Sequence, residues 1–215
     1  MQKDDLIKLF NRDHLARLDN IKQWLEYDRH QQESVSQHSY KVSVFTMCLL
    51  DYLWPGGDDN NTVATFKYQT LKMALMHDFD EAILRRDITH ELKYNAYNGL
   101  ELRNVLGEFV THQVAAEFGD DSVVSKTLSK DAPYYDVAHA IVKVADWMAL
   151  MYFLKRELAM GNRSWPLNLL PYCEESYHKA VSTLRNTCIL ADICERERLM
   201  YVWVRAINDL QNDII

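Results

Sequence analysis

The run AIVKVADWMALMYFL, residues 140–154, decides the fold that this sequence predicts. Its apolar side chains recur at helical spacing, so we predict one long buried helix from Pro133 to Met160. A single carboxylate, Asp146, lies in the middle of this apolar run. Because burying a carboxylate away from any cation is costly, we expect Asp146 to lie beside a positive charge, such as a bound metal ion.

Helical periodicity continues along the rest of the chain. Six Gly and four Pro among 215 residues leave little room for turn-rich β architecture, and 48% hydrophobic residues suffice for one substantial core. We therefore predict an all-α fold with a single domain over residues 1–215. The predicted helices cover 3–11, 14–27, Ser34 or Ser36 to about Trp54, Thr62 into His77-Asp78, 97–118 and 133–160, with two more from Trp165 to the end.

Charge and composition exclude several classes of function. The net charge is −7, and the sequence has no basic stripe that could bind the phosphates of a nucleic-acid polymer. The longest apolar run, Trp147 to Leu154, is too short to span a bilayer, and the charged N-terminus lacks the apolar segment of a signal peptide. The four cysteines form no CxxC pair and are interpreted as reduced thiols. These features predict a cytoplasmic protein that binds no membrane.

Two imidazoles and two carboxylates form the candidate metal set: His38, the dipeptide His77-Asp78, and Asp146. Mixed His and Asp ligands suit a hydrolytic divalent ion such as Zn²⁺, Mn²⁺, Co²⁺ or Fe²⁺. On a continuous helix His77 and Asp78 diverge by roughly 100°, so both could hold one ion along that edge. Glu81 would lie on the same side, close enough to act on an attacking water, with Asp80 as a weaker competitor.

The flanks of these residues resemble a known superfamily. The segments ESVSQHS (33–39), ALMHDFDE (74–81) and VKVAD (142–146) are similar to those of the HD-domain phosphohydrolases. The closest resemblance is to the bacterial YfbR-like 5′-deoxynucleotidases, which also share a Trp before the first His and the segment RELAMGN (156–162). The resemblance covers about residues 10–165, and residues 165–215 match only as C-terminal helices. It implies an HD-domain helical bundle.

The resemblance also implies roles for individual residues. His38, His77, Asp78 and Asp146 would bind one divalent metal, and Glu81 would be the catalytic carboxylate. Trp24 would line the nucleoside pocket, and Asp87 would place the substrate or the attacking water. The sequence departs from the family at two places, where Leu84-Arg85-Arg86-Asp87 is one residue longer than the usual turn and Gln23 replaces a common Arg. We expect Gln23 to contact the base.

The implied reaction converts a 2′-deoxynucleoside 5′-monophosphate into a deoxynucleoside and phosphate. Positive side chains are needed for the phosphate, and the candidates are Arg85, Arg86, Lys93 and Lys143. The expected partners are a deoxynucleotide substrate and further copies of the chain in a homo-oligomer. The phage-type dATP triphosphohydrolases resemble the same metal set, so cleavage of a deoxynucleoside triphosphate is the alternative.

Two further alternatives belong to other classes. His90, His112 and His139 could add ligands for a second metal, as in dinuclear HD phosphodiesterases and oxygenases. A regulator that binds a nucleotide without cleaving it is the non-enzymatic alternative. Degenerate scaffolds of that kind usually lose a ligand, whereas this sequence retains all four ligands together with Glu81.

Overall fold

The computed structural model describes residues 13–24, 27–53, 61–87, 99–119 and 135–187. Within these ranges the only extended pairing is an isolated antiparallel bridge between Lys22 and Ser34. The prediction of an all-α fold is confirmed. The helices are α1 (His14–Asn20), α2 (Val35–Leu53), α3 (Asn61–Met76), α4 (Phe79–Leu84), α5 (Gly99–Phe118), α6 (Tyr135–Ala159) and α7 (Ser164–Thr187). The predicted helix at 3–11 and the chain beyond 187 lie outside the described residues.

Helix α1 ends earlier than the predicted helix over 14–27. Its last residue is Asn20, and Ile21 adopts an extended conformation with φ −73° and ψ 122°. The backbone then pairs with the segment before α2, because Gln23 N donates to Glu33 O at 3.0 Å and Val35 N donates to Ile21 O at 3.0 Å. Pairing with a distant segment thus replaces the local helical bonds that periodicity alone favoured.

The prediction of a continuous helix through His77-Asp78 was wrong. Helix α3 ends at Met76, α4 begins at Phe79, and the two residues between them form a turn. Asp78 has φ −110° and ψ 22°, outside the helical region, and α4 starts from it. The two side chains are therefore positioned by a turn and not by the 100° step of a helix.

The chain divides into two compact units. The first unit comprises residues 1–27, 32–40 and 75–133. In it, α4 packs against α1 and α5. Together with Val35 at the start of α2, these helices contribute a buried apolar cluster whose other members are Leu18, Phe79, Ala82, Val110, Val114 and Phe118. This core fixes the start of α4 directly after the His77-Asp78 turn.

The second unit comprises residues 28–31, 41–74 and 134–215, and in it α6 packs against α7. Buried residues recur on α7 at spacings of three and four, at Leu170, Cys173, Tyr177, Val181 and Leu184. By length and apolar composition α6 could cross a membrane, but 67% of its most apolar window is buried inside the protein. Burial of that extent is typical of a central core helix.

Candidate active site

His38, His77 and Asp78 form a group whose donor atoms all lie within 4.8 Å of one another. His77 Nε2 lies 3.0 Å from Asp78 Oδ2, and His38 Nε2 lies 4.0 Å from the same oxygen. The two imidazole rings have their centroids 5.5 Å apart. Three of the four predicted metal ligands are thus brought together within the first unit.

The carboxylate of Asp78 is oriented toward these imidazoles. Asp78 occupies the N-cap position of α4, where an Asp side chain normally accepts a hydrogen bond from the first turn, yet it makes no such cap bond. Instead its Oδ2 accepts a hydrogen bond of 3.3 Å from Gln23 Nε2. Gln23 is 5% exposed, so the sequence position that we expected to contact the base contacts a predicted metal ligand.

His38 lies in the second turn of a well-capped helix. Ser34 Oγ accepts from Gln37 N at 3.3 Å, and Gln37 Oε1 accepts from Ser34 N at 3.0 Å. This reciprocal pair is a capping box, and it identifies Ser34 as the cap of α2. His38 N donates to Ser34 O at 2.9 Å, and its side chain is 3% exposed. The cap fixes the backbone from which the imidazole extends.

Glu81 is fully buried, at 0% exposure, in the first turn of α4. Its backbone N–H donates to Asp78 O and to Asp80 Oδ1, both at 3.1 Å. The half-buried Asp80 therefore uses its carboxylate to cap the turn. A buried carboxylate three residues after a predicted ligand is suited to hold or move a proton next to that ligand.

Trp24 has a positive φ of 61°, a conformation that costs a non-glycine residue on the order of 1 kcal/mol. Its backbone N–H donates to Asp87 Oδ2 at 3.1 Å, so Asp87 holds this strained residue in place. The indole centroid lies 6.5 Å from that of His38, with the rings nearly perpendicular. Two residues predicted separately, for the pocket wall and for substrate placement, are therefore joined by one hydrogen bond, and the indole lies beside the predicted ligand His38.

The predicted phosphate-binding cations have different surroundings. Arg85 and Arg86 are exposed at the end of α4, where Arg85 has a φ of 59°. Lys143, on α6 in the second unit, donates from Nζ to Asp146 Oδ2 at 2.7 Å. Lys93 lies outside the described residues.

Asp146 is the fourth predicted metal ligand and belongs to the second unit. Its side chain is 21% exposed and is paired with Lys143. The positive charge that lies beside this partly exposed carboxylate is the Lys143 ammonium, which was expected to contact the substrate phosphate. Its role as a metal ligand stays a prediction from the sequence.

The histidines proposed for a second metal do not cluster within the described residues. His112 is exposed on α5. His139 stacks on Tyr135, with ring centroids 5.5 Å apart and planes 17° from parallel. His90 lies outside the described residues. The group of His38, His77 and Asp78 contains neither His112 nor His139.

Two buried acidic residues, Glu33 and Glu157, were not predicted from the sequence. Glu33 is 2% exposed, and its Oε1 lies 3.4 Å from His38 Nδ1. Glu157 is 0% exposed on α6 and accepts hydrogen bonds from the backbone of His30 and Gln31. Glu157 follows Lys155 and Arg156, beyond the apolar run of residues 140–154, so its neighbours in the sequence indicate a solvated charge and do not reveal its burial.

The chemistry of the donor set fits a divalent ion. Two ligands on a tetrahedral ion, each about 2.1 Å from it, lie roughly 3.4 Å apart. The distances of 3.0 and 4.0 Å from Asp78 Oδ2 to the two imidazole nitrogens bracket that separation. Neutral imidazoles and a carboxylate are the ligands that zinc and related ions prefer. The described residues therefore provide three donor groups that could hold a divalent ion.

Comparison with known proteins identifies the family and the fold. The model of a family described as "5′-deoxynucleotidase YfbR-like" matches residues 11–170. Among solved structures, the cyanophage S-2L HD phosphohydrolase DatZ, bound to dA and one catalytic Zn²⁺ ion, is 17% identical with a TM-score of 0.63. That match covers 91% of this chain and 95% of DatZ. An HD-domain phosphohydrolase from Listeria innocua is 20% identical, with a TM-score of 0.59 and 97% of both chains covered. No curated protein sequence matches this chain significantly.

The chain belongs to the YfbR-like 5′-deoxynucleotidase family, because the family model covers most of its length. The structural neighbours show that its fold is that of the HD domain. It is a metal-dependent phosphohydrolase, and the predicted resemblance to this family is confirmed.

Proposed function

We propose that this YfbR-like phosphohydrolase cleaves 2′-deoxynucleoside 5′-monophosphates to the deoxynucleoside and inorganic phosphate. The observation that carries the proposal is the group of His38, His77 and Asp78 with Trp24 beside it, in a chain whose family is described as a 5′-deoxynucleotidase. The metal ligands serve hydrolysis of a phosphoester, and the indole is suited to packing against a nucleoside.

His38, His77 and Asp78 would hold one divalent ion, and the sequence adds Asp146 as a fourth ligand. Once bound, such an ion supplies a nucleophile near neutral pH and polarises a phosphoryl oxygen. Zinc, manganese, cobalt and iron all accept this donor set. The solved DatZ structure, with one catalytic Zn²⁺, supports a single ion and makes zinc the first metal to test.

Glu81 would orient the attacking water and accept its proton. Its complete burial supports this role, because a carboxylate in a water-poor site interacts strongly with a nearby proton donor. General-base assistance of this kind contributes roughly 10²- to 10⁴-fold in rate. Exposed Arg85 and Arg86 are the candidates in the first unit for contacts to the substrate phosphate.

Trp24 would select the deoxy sugar. Its backbone is held by Asp87, and its indole lies beside the imidazole of His38, where it could form a wall of the sugar pocket. A ribose 2′-hydroxyl against such a wall lacks a hydrogen-bond partner, which costs about 1–3 kcal/mol. Each 1.4 kcal/mol corresponds to about a factor of ten, so we expect at least about tenfold preference for the deoxy substrate.

Hydrolysis of deoxynucleoside triphosphates is the second candidate. The likeness to DatZ supports it, since that phosphohydrolase has the same fold and its structure contains a deoxynucleoside. The two candidates use the same ligands and differ in the length of the phosphate chain that the site accepts.

We also propose that the protein is located in the cytoplasm and forms a homo-oligomer. Within the described residues the structure contains the free cysteines Cys48 and Cys173, and free thiols support a reducing compartment.

The products of a substrate panel test the proposal. Purified protein with Zn²⁺, Mn²⁺ or Co²⁺ is incubated with deoxy and ribo nucleoside monophosphates and triphosphates. We expect inorganic phosphate from the deoxynucleoside monophosphates, with kcat/KM at least about tenfold above that of the ribo counterparts. Release of intact tripolyphosphate from deoxynucleoside triphosphates would favour the second candidate, and equal rates on both sugars would contradict the role given to Trp24.

A pair of variants isolates the role of the indole. Trp24→Ala should reduce the preference for deoxyadenylate over adenylate toward unity. Phe109→Ala removes an aromatic ring that is 48% exposed on α5 in the same unit, and it should leave the preference unchanged.

A further inference from the structure

The backbone of Glu33 and of the two residues after it is paired with the segment of residues 21–23. The carbonyl of Glu33 accepts from Gln23 N at 3.0 Å, and the next two residues are bonded as well. Ser34 pairs with Lys22 in the antiparallel bridge, and Val35 N donates to Ile21 O. The carboxylate of Glu33, 2% exposed, is therefore attached to a fixed piece of backbone and not to a mobile surface loop.

The carboxylate of Glu33 lies on the side of His38 that is opposite the metal ligands. Glu33 Oε1 is 3.4 Å from His38 Nδ1, whereas His38 Nε2 is 4.0 Å from Asp78 Oδ2. A neutral imidazole carries one N–H and one lone pair. A carboxylate at Nδ1 favours the proton on that nitrogen, which leaves the lone pair on Nε2 free to bind a metal.

We infer that Glu33 is a positioning residue that fixes the tautomer and ring orientation of His38 for metal binding. The inference rests on the proposed metal role of His38 and deepens it. Partners of this kind raise the basicity of a ligating imidazole, and their loss typically lowers metal affinity roughly 10- to 100-fold. The low dielectric of the buried site strengthens the interaction between the carboxylate and the imidazole.

The first experiment measures metal affinity. Zn²⁺ and Co²⁺ dissociation constants are determined by chelator competition for the parent and for Glu33→Gln, which preserves the size of the side chain and removes its charge. We expect affinity to fall roughly 10- to 100-fold. The matched control Glu108→Gln makes the same charge change at an exposed position of α5 and should leave affinity unchanged.

An affinity of Glu33→Gln within twofold of the parent, with the parent binding metal, would overturn the inference while leaving the proposed function intact. A parent that binds no divalent metal would instead contradict the proposed function. Thermal unfolding of both metal-free proteins separates folding from binding. A loss of stability without a loss of metal affinity would show that Glu33 is merely structural.

The second experiment needs no variant of Glu33. Histidines labelled with ¹⁵N in the metal-free parent report which ring nitrogen carries the proton, and the His38 signals are assigned by their absence in His38→Gln. We expect a proton on Nδ1 and none on Nε2 at a pH where the ring is neutral. A proton on Nε2 would overturn the inference even if Glu33→Gln failed to fold.

Discussion

Glu81 and Glu157 are both 0% exposed, but they lie in different units and among different neighbours. In the second unit, Glu157 accepts from His30 N and Gln31 N at 2.9 Å and from Asn162 Nδ2 at 2.6 Å. In the first unit, Glu81 follows the turn that carries His77 and Asp78, and its N–H bonds to Asp78 O. Burial of a carboxylate alone therefore does not identify a catalytic residue.

The donors around Glu157 show what it does. Two backbone N–H groups and a side-chain amide compensate its charge, and together they anchor residues 28–31 to the end of α6. Asn162 Nδ2 and Trp165 Nε1 add hydrogen bonds to Asp28 O, at 2.8 and 2.6 Å. Glu157 is thus an anchor for a loop, whereas Glu81 lies three residues after the predicted ligand Asp78, and its catalytic role stays a prediction.

The largest expected effect comes from removing a ligand. Asp78→Ala should abolish phosphohydrolase activity and strip the metal, because it removes the oxygen that lies within 4.0 Å of a ring nitrogen of both imidazoles. The variant should remain folded and helical, since the Asp78 side chain makes no cap bond to α4. Elemental analysis measures the metal content, and circular dichroism measures the helical content. Full metal occupancy in this variant would contradict the assignment of Asp78 as a ligand.

The next effect separates catalysis from metal binding. Glu81→Gln should retain its metal but lose at least about 10²-fold in kcat. The corresponding Glu157→Gln change should reduce kcat far less, because it alters an anchor and not a group in the reaction. Single-turnover rates with metal content measured on the same samples test this contrast. Near-normal turnover of Glu81→Gln would move the catalytic role to Asp80.

The third effect concerns stability. Glu157→Ala should lower the free energy of unfolding by about 2–4 kcal/mol, because it leaves two backbone donors without their charged acceptor. Denaturant titration measures the loss, and Cys173 provides a second readout. Burial, together with the charge of Glu174, raises the pKa of the Cys173 thiol to about 12.

At pH 8 the Cys173 thiol is therefore protonated, and it does not react with an alkylating reagent while the second unit is folded. Alkylation of Cys173 should become faster in Glu157→Ala and should not change in Glu81→Gln. Equal rates of alkylation in all three proteins would show that Glu157 does not stabilise the second unit.

The smallest effect tests the contribution of Asn162 to the anchor around Glu157. Asn162→Ala removes the bonds from its amide to Glu157 Oε2 and to Asp28 O, and it should cost about 1–2 kcal/mol of stability. Asn20→Ala is the control, since its exposed amide makes only a local bond of 2.8 Å to Ala16 O. A loss no larger than that of the control would show that the two backbone donors suffice for Glu157.

Much of the candidate site could be predicted from the sequence. The residue types at His38, His77 and Asp78 indicate a divalent ion, because ligand chemistry depends on side-chain identity and survives small errors in helix bounds. Asp146 lies within the apolar run of residues 140–154 and was singled out, whereas Glu157 lies in the charged triplet that follows this run and was overlooked. The all-α fold could be predicted from periodicity, because the apolar stripe of a helix must be buried whatever the conformation of the loops.

The tertiary structure decided the details that depend on distant segments. Periodicity could not show that α1 ends at Asn20, because the bonds that end it come from Glu33 and Val35. Periodicity also could not show the turn at His77-Asp78. After this turn a new helix, α4, begins at Phe79, whose side chain is buried in the core of the first unit. Side-chain identity determines which chemistry is available to a protein. Contacts between residues far apart in sequence decide which atoms meet, as Gln23 meets Asp78.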